Sequence, residues 1–173
     1  MNQKTLLKIL GEKNPLDGRS HSFIVGNVPI YSNELLPPVN ETIILNRVPS
    51  QFLAGLRLIC DRTSPVPIDG QTGWYHKLFK VAWIQIGDRP LVLIHRSILH
   101  EVGHHVWVGT LSTDLQRQFQ VATKKCRGGP NDWSDPEERF ADAFATYILG
   151  NSKPNEFKVI QCLQSLIYYQ QPA

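Results

Sequence analysis

Short apolar runs bounded by turn residues dominate the first half of the chain and predict β-strands. Residues 23–25 and 28–31 flank Gly26-Asn27, a dipeptide that favours a two-residue hairpin turn. Because Pro29 has no backbone N–H, it should confine the second of these strands to a sheet edge or a bulge. Further strands are predicted at residues 42–45, 57–60 and 74–86, and a surface loop at residues 61–73.

The second half has apolar residues at helical spacing. Residues 97–107 predict one helix, and the run 91–94 before it could begin that helix or form a strand. A later helix has Asp135 as its cap and Pro136 at its first position, and it should end at Gly150. Other helices are predicted after residue 112 and at residues 3–10 and 155–168. Strands followed by helices predict an α+β domain.

Length and composition favour one globular domain. The chain has 173 residues, of which 42% are hydrophobic and 19% are charged, values that are typical of soluble globular proteins. We expect a single domain over residues 1–173. It comprises an N-terminal helix and hairpin (1–50), a core (51–150) and a C-terminal helix (151–173).

Charge and cysteine content narrow the class of protein. The net charge is +3, and the Lys and Arg residues are scattered rather than clustered, which argues against nucleic-acid binding. Three widely spaced cysteines argue against a disulfide framework. The N-terminal apolar run is too short for a signal peptide, and no stretch approaches a membrane span. We therefore expect a cytoplasmic protein with no membrane partner, or a secreted one if a leader had been removed.

The stretch His100-Glu101-Val102-Gly103-His104 carries the strongest chemical signal. On a helix, residues four apart lie on one face, so the two imidazoles can bind one metal ion. Glu101 can address a water on that ion without being a ligand. Zinc needs a third protein ligand and an open position for water, whose pKa it lowers. The motif therefore predicts one zinc ion per chain, with Glu101 as the catalytic base.

The helix that begins at Pro136 offers the third ligand. Glu138 is the predicted ligand, and Asp142, four residues later, should accept the free N–H of a ligating histidine. Its neighbour Glu137 is predicted to be a surface residue. Trp133, in the preceding loop, is a candidate for lining the cleft. His105 points about 100° away from His104 on the helix, so a structural or substrate-facing role is expected for it.

These motifs resemble a known family. The pair His100-Glu101-x-x-His104 and Glu138-x-x-x-Asp142 resembles the gluzincin metallopeptidases, whose third zinc ligand is a Glu on a later helix. The string from Glu138 to Ala145 is similar to the catalytic domains of anthrax lethal factor and the Pro-Pro endopeptidases. The resemblance covers roughly residues 45–150. It implies a zincin-like fold that hydrolyses a peptide or protein substrate bound along an edge strand within residues 74–86.

Alternatives remain open. The residues from Arg96 to Glu101 are also similar to the ImmA/IrrE-like peptidases, which implies a regulatory peptidase that cleaves one intracellular repressor. In the lethal-factor group a Tyr seven residues before the Glu ligand stabilises the oxyanion, but this chain has Asn131 there. Tyr147 or His105 is then the candidate oxyanion donor. Without such a donor, the chain would be a zinc-stabilised binding module. The metzincin pattern is excluded because Thr110 replaces its third His.

Overall fold

The computed structural model describes residues 14–34, 36–62, 72–123 and 135–150. Five strands form one sheet and four α-helices accompany it, so the predicted α+β class is confirmed. The helices predicted at residues 3–10 and 155–168 lie outside the described residues, as does most of the predicted loop at 61–73. The strands are β1 (His21–Val25), β2 (Val28–Tyr31), β3 (Arg57–Asp61), β4 (Gly73–His76) and β5 (Val81–Gln85). The helices are α1 (Val39–Thr42), α2 (Leu91–Gly109), α3 (Thr113–Thr123) and α4 (Pro136–Leu149), with 3₁₀ helices at Ile43–Arg47 and Ser50–Leu53.

The sheet is mixed, with strand order β1-β2-β3-β5-β4. Its three central strands are parallel, and an antiparallel hairpin closes each side. The single long strand predicted over residues 74–86 is wrong. The chain reverses between β4 and β5, where Lys80 adopts a φ of 52°. This reversal places β4 at the edge of the sheet, so one side of its backbone faces away from β5.

The segment before β3 also differs from the prediction. Residues 42–45 belong to helical turns and not to a strand. The Thr42 hydroxyl donates to the carbonyl of Pro38 at 2.8 Å, a bond between residues four apart that a helical turn permits. Proline at the start of the turn favours helix, because its fixed φ suits the first helical positions.

The N-terminal hairpin is confirmed. Gly26 and Asn27 have φ values of 56° and 67°, as a tight turn of the twisted hairpin requires. Of the two places predicted for Pro29, the sheet edge is wrong, because β2 lies between β1 and β3. The β1–β2 pair does contain a register shift, but it falls between His21 and Phe23 on the opposite strand. The parallel ladder to β3 includes only Ile30 and Tyr31, so Pro29 precedes the positions that need an N–H on that side.

The main core lies between the sheet and the helices α2 and α4. Helix α4 contributes Phe140 and Phe144 to this core, each 1% exposed. The ring of Phe144 contacts that of Phe52 edge-on, with centroids 6.1 Å apart, which joins α4 to the 3₁₀ segment. None of the described helices is both long and apolar enough to cross a membrane. The helix that carries the His100 motif packs into this core through residues such as Ile98, Leu99 and Val102.

Helices α2 and α4 pack unusually closely at Gly103. A Cβ atom on Gly103 would lie 2.6 Å from the Cα of Ala141. That separation is far inside van der Waals contact, so only glycine allows the two backbones to approach this closely. The contact is fully buried on the α4 side, where Ala141 is 0% exposed.

Gly103→Ala should lower the free energy of unfolding by about 1–3 kcal/mol, since overpacking outweighs the gain of up to about 1 kcal/mol in helix propensity. Gly109→Ala on the same helix is the matched control, because the nearest atom to its Cβ would be 4.0 Å away. Urea denaturation of both variants measures the difference. Equal stability of Gly103→Ala and wild type would contradict the close-packing account.

Candidate metal centre

Three potential ligand side chains converge between α2 and α4. The Nε2 atoms of His100 and His104 lie 3.2 Å apart. Oε2 of Glu138 is 3.2 Å from Nε2 of His100, and Oε1 of Glu138 is 3.5 Å from Nε2 of His104. Among the described residues, these three side chains form the group of His, Cys and acidic residues that could hold a metal ion.

The spacing of these atoms fits tetrahedral zinc. Zinc binds imidazole nitrogen and carboxylate oxygen at about 2.0–2.1 Å, which places the ligand atoms of a tetrahedron about 3.3 Å from each other. The two Nε2 atoms are 3.2 Å apart, and each lies 3.2 or 3.5 Å from a different oxygen of Glu138, close to that value. The residues present therefore fit a zinc ion with one position left over for water or substrate.

Each imidazole also contacts a carboxylate through its other nitrogen. Nδ1 of His100 lies 3.0 Å from Oδ1 of Asp142, the contact that the spacing of Asp142 predicted. Nδ1 of His104 lies 2.9 Å from Oε1 of Glu137. When Nδ1–H donates to these carboxylates, Nε2 of each ring presents a lone pair to the other ring and to Glu138. That arrangement is electrostatically unfavourable unless a cation or extra protons lie between them.

The prediction that Glu137 is a surface residue is wrong. Its side chain is 16% exposed and bridges two groups, because its Oε2 accepts from Nζ of Lys77 at 2.7 Å while Oε1 contacts His104. Lys77 lies in the turn between β4 and β5. Glu137 thus ties the edge hairpin to a predicted ligand. The sequence held no local signal for this role, because both partners of Glu137 are distant along the chain.

The start of α4 holds these carboxylates in place. The Asp135 side chain caps the helix by accepting from the backbone N–H of Glu137 at 2.8 Å, and Pro136 follows as predicted. Glu137 and Glu138 therefore lie in the first turn, where the helix dipole favours negative charge. At the other end Gly150 terminates the helix with a φ of 75°.

Glu101 lies buried next to the start of β4. It is 6% exposed, and a Cβ atom on Gly73 would lie 2.6 Å from its Oε1. The absence of a side chain on Gly73 therefore leaves room for the carboxylate beside the edge strand. Burial raises the pKa of Glu101, and the nearby imidazoles of His104 and His100 oppose that rise. A carboxylate with a raised pKa is a better proton acceptor near neutral pH.

The imidazole pKa values reflect the surrounding carboxylates. Burial lowers the pKa of His100, but its hydrogen bonds to Asp142 and Glu138 outweigh burial and raise the pKa to about 9. For His104, burial is likewise outweighed by Glu137 and Glu138, and the pKa rises to about 10. The same contacts hold the pKa of Glu138 far below its usual range. Without metal, the centre therefore retains protons at neutral pH.

The remaining predicted site residues lie elsewhere or outside the described part. His105 is 2% exposed. Its Nδ1 lies 2.8 Å from the Tyr75 hydroxyl and its Nε2 lies 3.2 Å from the Ala54 carbonyl, so both ring nitrogens contact polar groups away from the metal centre. Tyr147 follows Glu138 by nine residues, which puts it on the opposite helix face about 13 Å along the axis. It packs against the main core. Trp133 and Asn131 lie outside the described residues.

Comparison of the chain with protein-family models, with curated proteins and with solved structures found no match. The resemblance to gluzincins therefore stays a prediction, and the functional argument rests on the geometry of the chain itself.

Zinc binding should release about two protons at pH 7, because metal must displace the protons of His100 and His104. Folding raises the pKa values of these histidines to about 9 and about 10, so their protonation stabilises the metal-free fold. This stabilisation is fully present below about pH 6.5, the pKa of an unfolded histidine. That stability is lost as pH rises through 9–10, whereas zinc affinity increases over the same range. Titration calorimetry in buffers of different ionisation enthalpy measures the released protons. Zinc uptake without proton release at pH 7 would contradict the prediction.

Glu137→Gln and Asp142→Asn should each weaken zinc binding about 10–100-fold, since the amide orients and polarises an imidazole less well than a carboxylate does. Competition with a chromogenic chelator measures the affinity. The matched control is Asp114→Asn, an exposed acid in the first turn of α3. If Glu137→Gln binds zinc as tightly as the control does, Glu137 does not support His104.

Proposed function

We propose that the chain is a zinc-dependent peptidase in which His100, His104 and Glu138 hold the metal and Glu101 is the general base. The observation that carries the proposal is the set of ligand separations, 3.2–3.5 Å, directly beside a buried Glu101. The carboxylates on both Nδ1 atoms support it further, because they leave both Nε2 lone pairs directed at one point.

The chemistry follows from these positions. A zinc ion bound there would polarise the scissile carbonyl and lower the pKa of the attacking water. Glu101 accepts the proton of that water and later delivers it to the nitrogen of the leaving amine. Its raised pKa suits both steps, because the group must first bind a proton and then release it near neutral pH. The adjoining Gly73 has no side chain that would displace this carboxylate.

The edge strand β4 provides a place for an extended substrate. The backbone N–H of Gln85 donates to the carbonyl of Thr72 at 3.0 Å, and Gly73 is opposite Ile84 in the register. Because hydrogen-bonded and non-hydrogen-bonded pairs alternate in an antiparallel ladder, Gly73 and Tyr75 direct their N–H and C=O groups away from β5. A peptide that paired with these groups would extend the sheet and pass next to Glu101.

A non-catalytic zinc module is the second candidate. The observation that favours it concerns the two candidate oxyanion donors in the described residues, because His105 is buried in the core and Tyr147 packs against the core, partly buried. A regulatory peptidase that cleaves one repressor would share the chemistry of the first proposal and differ in its substrate range. The activity test therefore has to separate metal binding from turnover.

Glu101→Gln should keep about one zinc per chain and lose about 10²–10⁴-fold in peptide cleavage, the usual contribution of general acid–base catalysis. Elemental mass spectrometry measures zinc, and mass spectrometry of a proteome-derived peptide library measures cleavage. Asp114→Asn is the control. Retained cleavage in Glu101→Gln would exclude this mechanism. Zinc-bound wild type that cleaves nothing would favour the non-catalytic module, and failure to bind zinc would remove both candidates.

A further inference from the structure

Near the start of the edge strand lies a guanidinium whose hydrogen bonds to the described residues all go to neutral acceptors. Nη1 of Arg89 donates to the Gln85 carbonyl at 2.8 Å. Its Nη2 donates to the Leu93 carbonyl at 3.3 Å and to Oγ of Ser97 at 2.8 Å. Arginine has five N–H donors, so these bonds hold the group in place while leaving further donors for another acceptor.

Arg89 differs in this respect from the other cations around the metal centre. Lys77 pairs with Glu137 at 2.7 Å, and Nη2 of Arg96 lies 3.8 Å from Oδ1 of Asp142. Arg89 has no such carboxylate in the part of the chain that the structure describes. Its pKa is lowered by burial, with no neighbouring acid to offset the loss of solvent. The guanidinium nevertheless stays charged, because its pKa is far above neutrality.

Two hydroxyl groups link Arg89 to Thr72, the residue before the glycine that abuts Glu101. Oγ of Ser97 receives the Arg89 bond and lies 3.1 Å from Oγ1 of Thr72. Ser97 precedes Glu101 by one helical turn on α2, so the two side chains lie on the same face. Thr72 directly precedes Gly73, whose backbone abuts the Glu101 carboxylate. The Arg89–Ser97–Thr72 cluster therefore adjoins the proposed catalytic base.

We propose that this cluster is a subsite for a substrate carboxylate, either an Asp or Glu side chain or the C-terminal carboxylate of a peptide. The inference rests on the proposed peptidase function. A strand that pairs with Gly73 and Tyr75 continues past Thr72, and each further residue advances it by about 3.3 Å. Its next residue or two therefore come beside the hydroxyls and the guanidinium. A carboxylate there gains charge-assisted hydrogen bonds and supplies the counter-ion that Arg89 lacks among the described residues.

The probe is a proteome-derived peptide library digested by the zinc-bound protein, with cleaved bonds mapped by mass spectrometry. Wild type should enrich Asp and Glu at a defined position on one side of the cleaved bond, or cleave close to free C-termini. Arg89→Gln should lower the ratio of acidic to neutral cleaved peptides about tenfold, the usual worth of a hydrogen bond to a charged group. Arg89→Lys, which keeps the charge, should retain part of the preference, and Ser97→Ala should reduce it less than Arg89→Gln does.

A second library with amidated C-termini distinguishes the two sources of carboxylate. Loss of the preference after amidation assigns the subsite to a C-terminal carboxylate, and an unchanged preference assigns it to side chains. Because Arg89 also bonds the turn before α2, circular dichroism checks each variant. If Arg89→Gln does not fold, Arg89→Lys and Ser97→Ala decide the question.

Two results would contradict the proposed carboxylate subsite. One is cleavage by wild type with no preference for acidic groups, and the other is a preference that persists in all the folded variants. Both leave the proposed peptidase function standing. Zinc-bound wild type that cleaves no peptide instead removes the peptidase proposal, and the subsite with it. Asp114→Asn serves again as the control and should match wild type in both libraries.

Discussion

The close contact between Gly103 on α2 and Ala141 on α4 is the constraint on which the candidate metal centre depends. A side chain on Gly103 would reach within 2.6 Å of the Ala141 backbone, so the two helices can approach this closely only through glycine. Gly103 lies between the two histidines of the motif, and Ala141 lies between Glu138 and Asp142. The packing of two small residues therefore brings two ligands of one helix to the carboxylates of the other.

The electrostatics of the centre follow from this packing. Three carboxylates of α4 meet two imidazoles of α2, one on each Nδ1 and one between the Nε2 atoms. The raised pKa values of the imidazoles and the lowered pKa of Glu138 are two sides of the same attraction. Protons and a metal ion are therefore alternative ways to balance the same negative charge. The metal-free centre is consequently expected to respond to pH in the opposite sense to the zinc-bound one.

The reversal of the chain between β4 and β5 connects the sheet to this centre. It leaves β4 at the edge, places Gly73 against Glu101 and brings Lys77 to Glu137. A substrate strand on β4 would therefore contact the same hairpin that supports a ligand through Glu137. The polar cluster around Arg89 lies at the other end of that edge, beyond Thr72. A substrate on β4 and a metal ion at the proposed centre would thus share a framework of backbone and charged side chains.

The sequence by itself determined the features that depend on nearby residues. Helical spacing of four predicts that His100 and His104 share a face, and the cap at Asp135 and the hairpin turn at Gly26-Asn27 are equally local. The α+β class followed from the order of the predicted strands and helices. The four-residue spacing of Glu138 and Asp142 placed both carboxylates on one face of their helix. The boundaries of α4 were predicted correctly for this reason, because its cap, its first proline and its final glycine are all set within one turn.

Only the tertiary structure decided which distant groups meet. Glu137 reaches His104 across 33 residues and Lys77 across 60, so no local pattern could distinguish it from a surface acid. The sequence predicted one strand where the structure has β4 and β5, because apolar residues continue through the turn at Lys80. The interior place of β2 was equally hidden, because it depends on its pairing with the distant β3. Spacing along the chain sets which face a side chain occupies, whereas packing between elements sets what it touches.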